Sequence, residues 1–193
     1  MNVAIIGSGS WATALAKIVM HNALDINWYI RKQETIDEFI EIRRNPNHLE
    51  WAYFDVSRIH FSADINTVIE QSDILVLAVP SPYLKQSLND ITVDMSQKMV
   101  ISAVKGMIPD ENLLVTEYMH QYFNVPKENL GVIAGPCHAE EIALERLSYL
   151  TVGCKDMKKA IEWSKLFDTP YVRTTPSNDV EGLEYASVMK NIY

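Results

Sequence analysis

Residues 3–12 of the chain read VAIIGSGSWA. Four apolar residues lead directly into Gly7, which is typical of a buried strand that ends in a tight turn. Gly7, Gly9 and Ala12 match the pattern G-x-G-x-x-[G/A]: the first glycine makes the turn, the second lets the backbone approach a pyrophosphate, and the small third residue lets a helix pack closely on the strand. Because a helix N-terminus attracts anions, the stretch predicts a dinucleotide-binding loop that contains Gly7 and Gly9. A glycine turn that binds nothing is the alternative.

Short apolar runs alternate with longer helical patterns along the rest of the chain, which is typical of βαβ units. Strands are predicted at residues 3–6, 27–30, 59–61, 74–79, 99–104, 131–134, 150–153 and 171–173. Helices are predicted at residues 11–20, 35–44, 64–70, 111–121, 157–167 and 179–193. The sequence therefore predicts an α/β fold, a Rossmann-type doubly wound and mostly parallel sheet.

The last predicted helix, 179–193, lacks a stop signal such as a C-cap glycine or a proline. Its apolar side consists of Leu183, Ala186, Met189, Ile192 and Tyr193. We therefore expect residues 1–178 to form an NAD(P)-binding domain and residues 179–193 to be the first helix of a helical second domain that is cut short. Exposure of that apolar side would favour self-association.

The composition excludes several classes of partner. The 193 residues are 48% hydrophobic and 22% charged, with a net charge of −8, so a packed core is expected and nucleic acid is not, because phosphates require a basic face. Cys137 and Cys154 form neither a disulfide framework nor a C-x-x-C zinc motif. With no signal peptide and no apolar run of about 20 residues, we predict a cytoplasmic protein with no metal and no membrane partner.

The end of the second predicted strand carries two cations. An NAD-selective site often has a carboxylate about 20 residues after the glycine loop, where it binds the ribose hydroxyls. Arg31 and Lys32 occupy that place here. They suit the 2′-phosphate of NADP, but a solvated basic turn explains them equally well.

Three further strand ends would border a ligand, because a doubly wound sheet binds its ligands outside the carboxyl ends of its strands. The sequence PSP at 80–82 predicts a rigid turn beside the cofactor, or a simple strand stop. Lys105 either points into the crevice or lies on the surface. Residues 135–141, GPCHAEE, lead into a helix whose first N–H groups are suited to an anionic substrate.

This last motif also contains residue types used in acid–base catalysis, namely His138, Glu140 and Glu141. We expect His138 to bond backbone instead, and the glutamates to favour the first turn of a helix. Cys137 has no base partner implied by spacing, and hydride transfer requires no nucleophile.

Five motifs occur together: GSGSWATALA at 7–16, VPS at 79–81, SAVKG at 102–106, GPCHAEE at 135–141 and KN at 190–191. In this order and spacing they resemble the NAD(P)-dependent glycerol-3-phosphate dehydrogenases, and the resemblance covers essentially the whole chain. It implies reversible hydride transfer between NADPH or NADH and dihydroxyacetone phosphate, giving glycerol 3-phosphate for phospholipid synthesis. It also implies a second, helical domain after Lys190, and a homodimer is a further candidate assembly.

The resemblance implies a role for each matching residue. The cofactor would contact Gly7, Gly9, Ser10, Trp11, Arg31, Lys32, Lys105 and Ala139, and the substrate would contact Lys105, Gly135, Cys137 and Lys190. Lys190 would be the catalytic acid–base, with a pKa lowered by burial beside Lys105. Cys137 departs from the commoner serine, so only its backbone contact is carried over. Ala12 replaces the commoner glycine, which should be harmless.

Two alternatives stay open. One is a related Rossmann dehydrogenase of the 6-phosphogluconate or hydroxyacid type, against which the 135–141 motif argues. The other is a non-catalytic dinucleotide-binding fragment.

Overall fold

The computed structural model describes residues 1–23 and 25–190, in which eight strands form one sheet. The strands are β1 Val3–Ile6, β2 Ile26–Tyr29, β3 Ile59–Ser62, β4 Ile74–Leu77, β5 Met99–Ser102, β6 Leu130–Ala134, β7 Ser148–Cys154 and β8 Val172–Ser177. Their order across the sheet is β3-β2-β1-β4-β5-β6-β7-β8. β1 to β6 are parallel, β7 runs antiparallel to β6, and β8 is parallel to β7. The predicted mostly parallel α/β fold is confirmed.

The helices are α1 Ser10–Asn22, α2 Gln33–Ile42, α3 Ile65–Glu70, α4 Ser81–Leu88, α5 Val115–Phe123, α6 Ala139–Ala143, α7 Met157–Phe167 and α8 Val180–Met189. The central strand β1 is buried along its whole length, and its residues alternate between two core layers. Val3 and Ile5 pack in the layer that contains Trp28, whereas Ala4 and Ile6 pack in the opposite layer. A strand covered on both faces requires an uninterrupted apolar run, which explains the sequence VAII.

The strand order reverses at β1, which pairs with β2 on one side and with β4 on the other. The connections after β1 and β4 therefore leave the sheet in opposite directions and open a crevice at the carboxyl edge. The glycine loop, residues 7–9, lies in this crevice beside the segments that follow β4 and β5.

Two helices differ from the sequence prediction. α4 occupies residues 81–88, where only a turn was predicted, because Pro82 lies in the first turn, where its missing N–H is not needed. α5 begins at Val115 and not at residue 111, because Ile108 and Leu113 pair in an isolated antiparallel bridge. The other predicted elements are present with ends shifted by a few residues.

The last helix, α8, packs on β6 and β7. Its buried residues are Val180, Glu184 and Ser187, whereas Ala186 and Met189 are exposed. The predicted apolar side therefore lies largely at the surface, and a partly polar side faces the sheet. Residues 191–193 of the predicted helix lie outside the described residues, and the domain boundary after residue 178 stays a prediction. Within the part of the chain that is described, no helix is long and apolar enough to cross a bilayer.

Candidate cofactor and substrate site

The turn between β1 and α1 requires glycine at its first position. Gly7 has φ +125°, and its N–H donates to the carbonyl oxygen of Tyr29 at 3.2 Å. A Cβ atom here would lie 2.7 Å from the carbonyl oxygen of Ala78. Both the backbone conformation and the close approach exclude a side chain.

Gly9, the residue before α1, lacks a side chain for a different reason. Apart from Gly9 itself and its two chain neighbours, no heavy atom of the described residues lies within 4 Å of the position that a Cβ would take. The open space beside it is a cavity of about 310 Å³, which we call the adenosine-side cavity. It is lined by Gly7, Ser8, Gly9, Tyr29, Arg31, His48, Ala78, Val79, Pro80, Tyr83 and Ser87. Backbone at the start of a 13-residue helix thus faces a space in which an anion would be stabilised.

One arginine and three aromatic rings, those of Tyr29, His48 and Tyr83, line the adenosine-side cavity. Arg31, directly after β2, is an exposed side chain on its wall, whereas Lys32 is not among the lining residues. Tyr83 on α4 is 62% exposed and also lines it. His48 reaches the cavity from the segment after α2, with Nδ1 3.2 Å from the Ser10 hydroxyl.

A second cavity of about 240 Å³, the nicotinamide-side slot, adjoins the other side of the loop. It is lined by Gly9, Ser10, Trp11, Ala78, Val79, Pro80, Ala103, Val104 and Lys105. Its walls are mostly apolar, as is usual where a flat ring binds. Since Gly9 lines both cavities, the two ends of a dinucleotide could occupy them with the pyrophosphate at the loop.

Lys105 follows β5 and is half-buried beside Trp11, with Nζ 4.8 Å from the ring centroid. A cation over an indole face is attracted by the ring electrons. Burial lowers the pKa of the Lys105 ammonium, and the nearby positive charge of Lys190 lowers it further.

Lys105 and Lys190 meet in a third cavity of about 280 Å³, the two-lysine cavity. It is lined by Lys105, Ala134, Gly135, Pro136, Thr151, Leu183, Ala186, Ser187 and Lys190. Lys190 lies at the C-terminal end of α8 and is exposed, so the burial expected for it from the sequence is found at Lys105 instead. Two cations in one cavity favour an anionic ligand.

Other residues of the 135–141 motif do not line this cavity. Cys137 is 1% exposed within the core. Burial raises the pKa of its thiol, against the opposing charges of Lys105 and Lys190. Ala139 is buried as the first residue of the five-residue helix α6. His138 is exposed and makes no capping hydrogen bond through its side chain.

Sequence reasoning missed three residues at the site. His48 and Tyr83 line the adenosine-side cavity, and Asn45 is 1% exposed behind the glycine loop. Asn45 offers one signal in the sequence, the dipeptide Asn45-Pro46 directly after the predicted helix 35–44, which indicates a helix end and not a binding role. Tyr83 was hidden because no helix was predicted after Pro80.

Comparisons with known proteins show which family this chain is similar to. Residues 2–160 match the family described as "NAD-dependent glycerol-3-phosphate dehydrogenase N-terminus". A glycerol-3-phosphate dehydrogenase [NAD(P)+] from an Exiguobacterium species is 30% identical over 99% of this chain and 56% of its own length. One from Staphylococcus epidermidis is 30% identical over 98% of this chain and 58% of its own length.

A solved structure of Plasmodium falciparum glycerol-3-phosphate dehydrogenase superposes with a TM-score of 0.89 and 28% identity, covering 100% of this chain and 56% of that one. The chain thus spans somewhat more than half the length of the relatives that it matches. The match of most of its residues to one family, together with the glycine loop and the paired lysines, shows that the chain belongs to the NAD-dependent glycerol-3-phosphate dehydrogenase N-terminal family.

Proposed function

We propose that this chain supplies the cofactor site and part of the substrate site of an NAD(P)-dependent glycerol-3-phosphate dehydrogenase. The observation that carries the proposal is that Lys105 lines both the nicotinamide-side slot and the two-lysine cavity. A phosphorylated substrate attracted by the two lysines would lie directly beside the reactive end of the cofactor. Because the chain spans 56% of the Exiguobacterium relative, the activity of a whole enzyme is an inference for this chain.

The bound cofactor would be NADPH or NADH, and it would supply a hydride to the carbonyl carbon of dihydroxyacetone phosphate. Backbone N–H groups around Gly9 and Ser10 would hold its pyrophosphate. Arg31 would contact the adenosine end, and the apolar slot beside Trp11 would exclude water from the nicotinamide. Lys32 and Ala139 stay predicted cofactor contacts.

Lys105 and Lys190 would stabilise and neutralise the negative charge that develops on the substrate. Reduction of a ketone places negative charge on its oxygen, so a proton or a cation must be near that atom. Lys190 would donate the proton during reduction and accept it during oxidation, while Lys105 stabilises the developing charge. Gly135 would contact the substrate from the cavity wall, and Cys137 only through its backbone.

The wider setting is also a proposal. The homodimer, the cytoplasmic location and the division into domains at residue 178 stay predictions. Of the two alternatives, the family match disfavours a 6-phosphogluconate or hydroxyacid dehydrogenase. A dinucleotide-binding protein without catalysis is the alternative to be tested.

The test is calorimetric titration of the chain with NADPH and NADH, followed by an assay of NADPH oxidation in the active enzyme. Dihydroxyacetone phosphate is the expected substrate, and 6-phosphogluconate (with NADP+) is the competing one. A protein of these 193 residues alone should bind NADPH without turnover, since positioning of the substrate contributes several kcal/mol to catalysis. Failure to bind either dinucleotide would overturn the proposal.

A further inference from the structure

The carbonyl groups of the glycine loop are all held from the protein side. The hydrogen bonds to these carbonyl groups come from three buried side chains, each of which is at most 1% exposed. The hydrogen bonds are Trp28 Nε1 to Gly7 O (2.7 Å), Asn45 Nδ2 to Ser8 O (2.9 Å) and Thr13 Oγ1 to Gly9 O (3.0 Å). The loop is therefore fixed by three side chains and not only by its own turn geometry.

Holding the carbonyls also orients the N–H groups. In a trans peptide the C=O and the N–H point in opposite directions within one plane. The Ser8 carbonyl shares its peptide with the Gly9 N–H, and the Gly9 carbonyl shares its peptide with the Ser10 N–H. Because both carbonyls bond to buried side chains, the two N–H groups point away from the core, on the side where the cofactor cavities lie.

Asn45 connects these contacts. Besides its bond to Ser8, its Nδ2 donates to Thr13 Oγ1 at 2.8 Å, and its Oδ1 accepts from the Asn47 N–H at 3.0 Å. Both donors and the acceptor of the amide are therefore used, which fixes its orientation. The Thr13 hydroxyl accepts from Asn45 and donates to the Gly9 carbonyl. That carbonyl also accepts from the Thr13 N–H at 3.0 Å, so the hydroxyl adds a constraint from Asn45 to the first bond of the helix.

We propose that Asn45 is a positioning residue for the dinucleotide pyrophosphate, acting through Thr13 and the loop carbonyls. The proposal rests on the proposed function, because it assigns Asn45 to the site that binds NADPH. Asn45 does not touch the cofactor; it holds the Gly9 and Ser10 N–H groups in the orientation that an anion requires, so that they need not reorganise on binding.

The test measures binding of NADPH and of 2′-AMP, which lacks the pyrophosphate, to Asn45→Ala. We expect the dissociation constant of NADPH to rise about 10-fold, because the Gly9 and Ser10 N–H groups must then reorganise when the pyrophosphate binds. Affinity for 2′-AMP should not change. Thr13→Val should weaken NADPH in the same way, while the matched control Thr13→Ser, which keeps the hydroxyl, should retain the affinity of the original chain.

Several results would overturn the inference. One is unchanged NADPH affinity in folded Asn45→Ala, and another is equal weakening of NADPH and 2′-AMP, which indicates a general structural role. If Asn45→Ala does not fold, or if 2′-AMP does not bind the original chain, the NADPH affinities of Thr13→Val and Thr13→Ser provide the test. Equal NADPH affinities of these two variants would refute the role of the Thr13 hydroxyl, and with it the proposed action of Asn45 through Thr13. Absence of NADPH binding by the original chain would instead remove the proposed function, and this inference with it.

Discussion

Glu184 should make the stability of the protein depend on pH, and Glu184→Gln should remove that dependence. Its side chain is 4% exposed and accepts hydrogen bonds from the N–H of Thr116 (3.2 Å) and from the Thr116 hydroxyl. Thr116 lies in the first turn of α5, which is preceded by Leu114, a residue without an acceptor to cap the helix. A carboxyl group from α8 therefore takes the place of the missing cap.

Burial raises the pKa of Glu184 from 4.5 to about 7, against the lowering effect of the Thr116 hydrogen bonds, and the charge of Glu117 adds to the rise. Between these two values the folded state binds a proton that the unfolded state has lost. The free energy of unfolding therefore falls as the pH rises from 4.5 through 7. A shift of roughly 2.5 pKa units at about 1.36 kcal/mol per unit gives a loss of about 3 kcal/mol.

Urea unfolding at pH 5 and at pH 8 would measure this loss. The original chain should lose about 2.5 kcal/mol more than Glu184→Gln between the two pH values, because pH 5 already lies above the pKa of the unfolded state. Glu162→Gln, an exposed position on α7, is the matched control and should behave as the original chain does. An identical pH dependence for the original chain and Glu184→Gln would refute the reasoning, because it would mean that Glu184 titrates alike in both states.

Three further predictions concern the site. Lys190→Met should lower kcat of the active enzyme by about 10² to 10⁴ with little change in NADPH affinity; near-full kcat would remove Lys190 from catalysis. Arg31→Ala should weaken NADPH more than NADH, by about 1 to 3 kcal/mol in calorimetric titration, and equal losses would reject a contact with the 2′-phosphate. Gly7→Ala should cost more than about 1 kcal/mol of unfolding free energy because of its positive φ. Gly9→Ala should change stability by less than about 1 kcal/mol but block NADPH binding; the reverse pattern would contradict the roles given to the two glycines.

The central strands could be predicted from the sequence because they are buried on both faces, and burial on both faces requires a continuous run of apolar residues. The run at 74–79 shows where this reasoning stops. β4 ends at Leu77, yet the apolar sequence continues through Ala78 and Val79. These two residues pack in the two core layers and also line both candidate cavities, so the apolar run continues past the end of the strand.

Contacts between distant residues could not be predicted in this way. Glu184 and Thr116 are 68 positions apart, and Asn45 and Thr13 are 32 apart. The burial of Glu184 and of Asn45 follows no periodic pattern in the sequence. Each can be buried because a residue that is distant in the sequence forms hydrogen bonds with its polar atoms. The helix α4 was missed for a local reason: a proline was interpreted as a breaker, although the first turn of a helix accepts it.

The structure brings Lys105 and Lys190 together, but it differs from the expectation of which lysine is buried. Burial is expected for Lys190 from the sequence, but the structure shows it for Lys105, whose pKa is lowered by burial and by the nearby charge of Lys190. Lys190, exposed at the end of α8, faces the same cavity from its open side. The proposed catalysis by Lys190 would therefore require that a ligand or further protein cover that side. An anionic substrate there would favour the charged ammonium form of Lys105 and so oppose the lowering of its pKa.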